Sequence, residues 1–421
     1  MARILLAWEL GGDYGHLMRF DVLARALKRR GHEPVFVIRD LTFAEAVFRG
    51  EPYTVFQAPV WMRSITGLPP PIGFSETLMR FGFFHPETLT GLCRAWRALV
   101  EAVRPELLVF DYAPTGMLAT RGLRFPRVLI GDSFGVPPRT EPMPVYRWWH
   151  SEPQARILES ERRVLANANA VLARFAEPPM RKLADLLQAD EAIITSSPEF
   201  DQYPGRTGER YWGSLASLDQ GAPPPWPAVG SRRVFAYIKP RHRDFDALLV
   251  ALRATDASVV VHAPGVSAQA VRTHSADNIV FSPDPVRMAD VRRECDFGIC
   301  HSGTNTVQAL VTAGRPVLLL PQNLEQMMTA RRVLELGAGL VVDPSEPAPD
   351  YRDLLQRLLE DPAFAEAARA VADRHAGDDP VARIARIVDR FEELLGRASS
   401  IPAADPGALR QITAPTTRTA P

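Results

Sequence analysis

Short apolar runs of strand length alternate with segments of helical periodicity along most of the chain. The first example is the run at 3–8, which a glycine-rich turn and a helical pattern follow before the next run at 35–38. Runs this short and uniformly apolar are typical of strands that are buried on both faces of a sheet. A strand–helix–strand order with short connections favours right-handed parallel pairing. The pattern therefore predicts an α/β protein built from parallel sheets.

The predicted strands fall into two groups, with a proline-rich segment at 216–230 between them. Three consecutive prolines in that segment, and a fourth after Trp226, are incompatible with a helix or a central strand. We therefore predict an N-terminal domain at 1–215, a linker at 216–230 and a C-terminal domain at 231–396, with a disordered tail at 397–421. The strands are predicted at 3–8, 35–38, 107–110, 128–130, 170–173 and 192–194 in the first domain, and at 234–238, 259–261, 279–281, 297–300, 317–320 and 340–342 in the second.

Charge and cysteine content exclude several classes of protein. The chain has 49 basic and 49 acidic residues, which argues against binding nucleic acid or anionic membrane by bulk electrostatics. The three cysteines lack the close spacing of a zinc site or a disulfide framework, so they are predicted to be core residues in a reducing compartment. The N-terminus does not match a signal peptide, and no apolar run approaches the roughly 20 residues of a membrane span. We predict a cytoplasmic protein.

The second half carries polar residues directly after two predicted strands. His301 follows the strand at 297–300, and a helix is predicted to begin near Asn305. The N–H groups at a helix N-terminus can bind phosphate, and Gly303 allows a ligand to approach closely. Hydroxyl donors in the same segment are Ser302, Thr304 and Thr306.

A carboxylate and an amide follow the strand at 317–320. They belong to Glu325 and Gln326, which open the next predicted helix. Both side chains can accept hydrogen bonds and the amide can also donate, so the pair can hold vicinal sugar hydroxyls. The two segments together predict a site for a phosphate-linked sugar.

These segments resemble the nucleotide-sugar-binding region of family-1 glycosyltransferases, which have the GT-B fold of two Rossmann-like domains facing across a cleft. The resemblance implies an inverting transfer from a nucleotide-diphosphate sugar. It implies that His301, Thr304 and Thr306 contact the diphosphate and that Glu325 and Gln326 hold the sugar, while Phe281 lies near a base-stacking position. The residues that carry it are His301, Gly303, Asn305, Thr306, Gly314, Pro316, Pro321, Glu325, Gln326, Ala330, Gly337 and Gly339.

Two positions depart from the family pattern. Ala309 stands where many members have a glutamate that binds the ribose hydroxyls, and this favours dTDP over UDP as the nucleotide. The usual Gly-Ser turn after the first strand of the second domain is replaced by 238–241, in which Lys239 and Arg241 are predicted to contact the diphosphate.

The first loop, Gly15-His16 followed by Leu17-Met18-Arg19, resembles the Gly-His-x-x-Pro of the same family, with Arg19 in place of proline. The resemblance implies that His16 is the general base and that Gly15 lies at the donor site. An imidazole suits this role, and it usually needs a carboxylate to fix its tautomer. Asp111 is the predicted partner, and the alternatives are Asp132, Glu9 and Asp13.

The acceptor is predicted to be a hydroxyl compound bound by aromatic loops at 57–86 and 134–149, although these aromatics also suit a core or a homodimer surface. A phenol, polyketide, lipid, sugar or peptide side chain would fit, and a lipid would bring the protein to a membrane surface. No catalytic metal and no cofactor beyond the co-substrate are predicted. The alternatives are a nucleotide-sugar epimerase or hydrolase on the same fold, or a non-catalytic binding partner. Neither half has the dinucleotide fingerprint that a dehydrogenase would need.

Overall fold

The computed structural model describes residues 1–12, 14–63, 65–216 and 218–399, and these form two compact units. Unit 1 comprises Met1–Ile130, Val136–Ile193 and the described residues from 384 on, and unit 2 comprises Gly131–Gly135 and Ile194–Arg383. The predicted domains end at 215 and 396, whereas the units divide after 193 and after 383. Most of the tail predicted to be disordered, 400–421, lies outside the described residues, and 397–399 belong to the last helix.

Each unit is built on one sheet of six strands. The strand order is β3-β2-β1-β4-β5-β6 in unit 1 and β12-β11-β10-β7-β8-β9 in unit 2. The α/β class and the GT-B type of fold predicted from the sequence are confirmed. The strands are β1 (Arg3–Trp8), β2 (Glu33–Ile38), β3 (Thr54–Gln57), β4 (Leu107–Asp111), β5 (Arg127–Gly131), β6 (Glu191–Ile194), β7 (Arg232–Tyr237), β8 (Ala257–His262), β9 (Ile279–Ser282), β10 (Phe297–Cys300), β11 (Val317–Leu319) and β12 (Gly339–Val341).

Strand pairing fixes where ligands can bind in each unit. β1 pairs in parallel with both β2 and β4, and β10 pairs in parallel with both β7 and β11. In each sheet the order reverses next to its first strand, between β1 and β4 and between β7 and β10. Ligands of such sheets bind outside the carboxyl ends of the strands at that reversal. The loops after β1 and β4, and those after β7 and β10, are therefore the places to look for a site.

Helices cover both sheets. α10 and α11 follow β10 and β11 directly, so their N-termini lie at the carboxyl edge of the sheet of unit 2. The helices are α1 (Gly15–Arg29), α2 (Ala44–Phe48), α3 (Phe74–Leu78), α4 (Pro86–Val103), α5 (Pro114–Ala119), α6 (Gln154–Arg174), α7 (Phe245–Arg253), α8 (Ala268–His274), α9 (Met288–Glu294), α10 (Thr304–Val311), α11 (Leu324–Leu336), α12 (Tyr351–Glu360), α13 (Pro362–Arg374) and α14 (Pro380–Ser399).

The core lies on both faces of each sheet, as parallel strands require. In unit 2, α7 and α12 cover one face, and α9, α10, α11 and α13 cover the other. All three cysteines are free and buried, which confirms their prediction as core residues. Burial raises the pKa of Cys295 to about 12, which is the behaviour of an inert thiol.

The predicted strand at 170–173 is wrong, because these residues form the last turns of α6. Alanine and leucine are strong helix formers, and a short apolar run does not by itself distinguish a strand from a buried helix. β3 was not predicted, since its residues are only half-buried or exposed at a sheet edge. Part of the loop at 57–86 is also helical, in α3 and in the distorted turn that follows it.

Most of the last helix belongs to unit 1 and is held there by ion pairs. Arg30 donates to Asp389 at 2.7 Å and to Glu392 at 3.0 Å, and Arg390 donates to Glu191 at 2.6 Å. Pro380 is the first residue of this helix. In the described part of the chain, no helix combines the length and the hydropathy that crossing a bilayer would take.

Candidate functional site

A histidine–aspartate pair lies at the carboxyl edge of the sheet of unit 1. Asp111 is the last residue of β4 and pairs across the sheet with Trp8, the last residue of β1. His16 is the second residue of α1, the helix that follows β1, and its Nδ1 lies 2.9 Å from Oδ1 of Asp111. The indole of Trp8 stacks on the imidazole, with 5.1 Å between ring centroids. Both the tautomer and the plane of the imidazole are therefore fixed by neighbouring residues.

The Asp111 carboxylate is buried and lies between a guanidinium and an imidazole. Its side chain is 1% exposed, and Arg19 donates from Nη1 to the oxygen that His16 leaves free. Burial acts to raise the pKa of this carboxyl, but the neighbouring guanidinium and imidazole outweigh it, so the pKa lies below its ordinary value. Asp111 is thus held as an anion, and an anionic carboxylate accepts the Nδ1 proton of His16.

Gly11 keeps a side chain away from the other imidazole nitrogen. A Cβ atom at position 11 would lie 2.5 Å from Nε2 of His16, and Gly11 has a φ of +88°, which favours glycine. The backbone thus approaches Nε2 closely without a side chain in the way. Because Nδ1 is taken by Asp111, Nε2 is the nitrogen that can accept a proton from a bound molecule.

Glu9 has a structural role that the sequence did not predict. It is 1% exposed, and its Oε2 accepts hydrogen bonds from the N–H groups of Thr115 at 2.8 Å and Gly116 at 3.3 Å, at the start of α5. Glu9 therefore caps a helix, and it is not the partner of His16. Asp132 instead accepts from the Gly135 N–H at 3.1 Å, and Asp13 lies outside the described residues. Of the predicted carboxylates that the structure describes, Asp111 is the one that contacts the imidazole.

The backbone beside Asp111 is strained. Tyr112 has a φ of +48°, an uncommon conformation for a residue with a side chain. Its carbonyl accepts a hydrogen bond from the Leu10 N–H at 2.9 Å. This bond ties the loop after β4 to the loop after β1. Strained residues that their surroundings hold in place cluster at functional sites.

In unit 2, His301 links three neighbouring strand ends. Its Nε2 accepts the Lys239 N–H at 2.5 Å, and its Nδ1 donates to the Leu320 carbonyl at 3.2 Å. A neutral imidazole carries one proton, and here that proton is used by Leu320. The predicted hydrogen bond from His301 to a diphosphate is therefore replaced by contacts that join the loops after β7, β10 and β11.

The segment after His301 is shaped for an anion. Ser302 has a φ of +64°, and its hydroxyl is buried with no hydrogen-bond partner among the described residues. The next residue, Gly303, is the N-cap of α10, and no side chain caps that helix. A Cβ at Gly303 would meet nothing within 4 Å, so there is open space in front of the helix. Uncapped N–H groups that face open space are suited to a phosphate.

The other predicted residues of this segment differ in burial. One is buried against α11, and two are partly exposed. The Thr304 hydroxyl is buried and lies 3.4 Å from that of Thr329. Asn305 and Thr306 are half-buried, and Asn305 accepts from the Ser214 hydroxyl at 3.4 Å. Thr306 is therefore better placed than Thr304 to donate to a ligand.

Gln326 helps to cap α11. Its Oε1 accepts the Gln322 N–H at 2.8 Å, while the N-cap Asn323 accepts the Gln326 N–H at 2.9 Å. The carbonyl end of the Gln326 amide is thus used within the protein, and its NH₂ end is the part suited to a ligand. Glu325 lies beside it in the first turn and is half-buried.

Four other predicted residues occupy the same edges of the two sheets. In unit 2, Lys239 is half-buried and Arg241 is exposed in the loop after β7, while Phe281, near the end of β9, packs partly against the core. In unit 1, Gly15 is the first residue of α1. Their roles toward a ligand stay predictions.

The aromatic residues of the two predicted acceptor loops form two sets. Phe74, Phe83 and Tyr146 are buried in the core of unit 1 and are not available to a ligand. Trp61 and Phe81 are half-buried, and the Arg39 guanidinium lies 5.7 Å from the Phe81 ring centroid. The prediction of an aromatic pocket thus narrows to the half-buried side chains of the two loops, which are Trp61, Phe81, Phe84, Phe134, Trp148 and Trp149.

Two residues of the site were not predicted from the sequence. In the sequence, Arg19 is notable only because it replaces the proline of the family pattern. It follows His16 by three residues, however, and residues with this spacing lie on the same side of a helix. That spacing is a signal that it contacts the same partner. Gly11 looks like any turn glycine, and only the structure shows that it lies against Nε2.

A pH-dependent stability is expected from Glu9. Burial raises the pKa of Glu9 to about 7, against the lowering effect of its bonds to Thr115 and Gly116, from an ordinary value of 4.5. The folded state therefore holds the proton more tightly than the unfolded state. The stability from this group is complete below about 4.5 and is lost as the pH rises through about 7, a loss of about 2–3 kcal/mol between pH 5 and 8.

Urea unfolding of the wild type and of Glu9→Gln at about pH 5 and about pH 8 measures this loss. The glutamine keeps an oxygen for the two N–H groups but does not titrate. The wild type should lose about 2–3 kcal/mol relative to Glu9→Gln on going to the higher pH. If the free energies of unfolding of the two proteins differ by the same amount at both pH values, Glu9 does not hold its proton in the folded protein.

The chain is similar to known proteins. Residues 246–394 match the family model described as the C-terminal domain of erythromycin biosynthesis protein CIII-like proteins. The zeaxanthin glucosyltransferase of Pseudescherichia vulneris is 25% identical over 379 residues, which cover 83% of this chain and 88% of that enzyme.

Solved structures show the same fold. The calicheamicin glycosyltransferase CalG4 superposes with a TM-score of 0.69 at 21% identity, covering 94% of this chain and 98% of that one. The glycosyltransferase VinC, in complex with dTDP, superposes with a TM-score of 0.65 at 18% identity, covering 94% and 100%. Fold, family model and full-length relative agree: the chain has the GT-B fold and is similar to glycosyltransferases of family 1, enzymes that transfer a sugar.

Proposed function

We propose that the protein is an inverting glycosyltransferase that moves a sugar from a nucleotide-diphosphate donor to a hydroxyl group, with His16 as the general base. The observation that carries this proposal is the pair of His16 and Asp111. The carboxylate occupies Nδ1 at 2.9 Å, and a glycine at position 11 keeps a side chain off Nε2. An imidazole held in this way can take a proton from a hydroxyl group.

The reaction balances with these groups. The acceptor oxygen attacks the anomeric carbon on the face opposite the diphosphate, and its proton moves to Nε2 of His16. The bond from the anomeric carbon to the diphosphate oxygen breaks, and the nucleotide diphosphate leaves with the electron pair. Asp111 stabilises the imidazolium that forms, and attack from the opposite face inverts the anomeric centre.

Unit 2 supplies the groups that a leaving diphosphate needs. The uncapped N-terminus of α10 presents N–H groups beyond Gly303, and the Ser302 hydroxyl lacks a partner among the residues that the structure describes. Such donors stabilise negative charge as it develops on a leaving phosphate. Lys239 and Arg241 add positive charge from the neighbouring loop, while Glu325 and the NH₂ group of Gln326 are suited to sugar hydroxyls.

Ala309 supports dTDP as the preferred nucleotide over UDP. It is a residue of α10, and a methyl group makes no hydrogen bond to ribose hydroxyls. A deoxyribose needs fewer such bonds. VinC, which shares the fold, has been solved with dTDP.

The acceptor is proposed to have an apolar body that carries a hydroxyl group. Support comes from the half-buried Trp61 and Phe81 at the edge of the sheet that holds His16. One full-length relative acts on zeaxanthin by its name, and a structural neighbour is a calicheamicin glycosyltransferase.

Loss of the base should abolish most of the transfer. His16→Ala is expected to lower kcat by about 100-fold to 10,000-fold, since general base catalysis contributes that much. Asp111→Asn should lower kcat by at least about 100-fold, because it favours the wrong imidazole tautomer. Release of nucleotide diphosphate with a panel of phenols, a hydroxylated carotenoid and a macrolide aglycone gives the rate, and NMR of the product gives the anomeric configuration.

A matched control for these variants is Arg29→Ala, which removes an exposed side chain from the same helix as His16. It should retain the wild-type rate. Full activity of His16→Ala would contradict the assignment of the base. Interconversion or hydrolysis of the donor without any acceptor product would instead point to an epimerase or hydrolase.

Donor binding should discriminate between nucleotides and depend on Glu325. By calorimetry dTDP should bind about tenfold more tightly than UDP, because burying the extra ribose hydroxyl without a partner is unfavourable. The additional affinity of the sugar in a dTDP-sugar should fall about tenfold or more in Glu325→Ala, with affinity for dTDP itself unchanged.

Glu335→Ala is the control for that variant, since Glu335 is an exposed glutamate on the same helix. It should leave both affinities as they are. If none of dTDP, UDP and GDP binds, the donor site on unit 2 is assigned wrongly.

The transfer is proposed to need no metal ion, because His16 supplies the base and the N-terminus of α10 with Lys239 and Arg241 offsets the phosphate charge. Removing divalent cations should therefore leave the rate unchanged. Turnover with excess EDTA is compared with turnover after adding Mg²⁺ or Mn²⁺ back. A rate that EDTA abolishes and a metal restores would show that the leaving group is stabilised by a cation instead.

A further inference from the structure

Arg19 lies where it can control the charge of the histidine–aspartate pair. It follows His16 by three residues on α1 and is 5% exposed. Its Nη1 donates to Oδ2 of Asp111, while Nδ1 of His16 lies at 2.9 Å from Oδ1. A single buried carboxylate thus has a permanently charged group on one oxygen and a titratable group on the other.

The permanent charge of Arg19 matters because a general base must be unprotonated before it can accept a proton. A buried carboxylate with an imidazole as its only partner favours the imidazolium, since the opposite charges attract strongly where water is excluded. An imidazolium has no lone pair free and cannot take a proton from an acceptor. Arginine keeps its charge at all relevant pH values, so it balances the charge of the carboxylate without a second proton on the imidazole.

The other charged groups near this pair are already used. On the β1 side the Glu9 carboxylate is bound to the N–H groups of Thr115 and Gly116. At the end of β2, Arg39 reaches the Glu9 carbonyl at 3.4 Å. Among the described residues, Arg19 is the charged side chain that contacts the histidine–aspartate pair directly.

We propose that Arg19 is a positioning residue of the transfer reaction, which neutralises Asp111 so that His16 stays uncharged and able to accept the proton of the acceptor hydroxyl. This inference rests on the proposed function, because it assigns a role in setting the base. It also explains the departure from the family's usual proline, since proline in this position cannot contact the carboxylate.

The test is the titration of His16, followed by NMR in protein with labelled histidine and assigned with His16→Gln. In Arg19→Met the midpoint of the His16 titration should move upward by about one pH unit, because a positive charge near the imidazole is lost. Arg19→Lys keeps the charge and should return most of the wild-type midpoint. The acidic limb of the pH profile of kcat/KM should move to higher pH by the same amount. At a fixed pH on that limb, kcat/KM of Arg19→Met should therefore be about tenfold lower than that of the wild type.

Arg25→Met is the matched control. Arg25 lies on the same helix and pairs with another buried carboxylate, that of Asp21, at 2.9 Å. Removing it also breaks an arginine–aspartate pair, yet it should change neither the titration of His16 nor the pH profile. A merely structural role of Arg19 would make the two variants alike.

A second comparison keeps the test open if Arg19→Met does not fold. The double variant Arg19→Met/Asp111→Asn removes both charges and leaves no buried ion without a partner. Its His16 midpoint should lie about one pH unit above that of Asp111→Asn alone. Equal midpoints in that comparison, or an unmoved midpoint in a folded Arg19→Met, would overturn the proposal.

The titration does not depend on activity, so the two proposals can fail separately. If the midpoint moves but the wild type transfers no sugar to any acceptor, the charge effect of Arg19 stands and the proposed function falls. If the wild type transfers sugar and the midpoint in Arg19→Met does not move, the proposed function stands and the role of Arg19 falls.

Discussion

The buried carboxylate of Asp111 organises the edge of unit 1. It lies at the end of β4, and because β4 pairs with β1 in parallel, the loop after β1 must bring its polar groups to the same place. Desolvation makes an unpaired carboxylate there very unfavourable. His16 and Arg19 satisfy its two oxygens from one turn of α1. The orientation of that helix and the chemistry of the site thus depend on the same ion.

Much of this fold can be predicted from the sequence because parallel strands leave a strong pattern. Eleven of the twelve strands coincide with apolar runs, and their order along the chain restricts the topology. The failures have physical causes. At 170–173 a run of alanine, valine and leucine lies within the 21 residues of α6, where packing of one face outweighs the local pattern. β3 lies at a sheet edge and lacks the continuous apolar run of a central strand.

The site could be predicted in part. That His16 and Asp111 meet follows from their places after neighbouring parallel strands, and the arginine three residues on could have been included by helical spacing. The direction of individual hydrogen bonds could not be predicted. His301 was expected to donate to a ligand, yet both of its nitrogens contact the main chain, and Oε1 of Gln326 is used to cap a helix. Residue types and spacing do not determine which of several available partners a polar atom takes.

Glu9 and Asp111 show how the same kind of side chain acquires opposite properties one strand apart. Each is 1% exposed at the carboxyl edge of the sheet. Glu9 receives two main-chain N–H bonds, which do not offset its burial, and its pKa rises to about 7. Asp111 is bound by a guanidinium and an imidazole, and its pKa is lowered instead. Neutral donors can thus satisfy a carboxyl group without ionising it, whereas a fixed positive charge secures the anion. A base that must lose and regain its proton needs the second arrangement beside it.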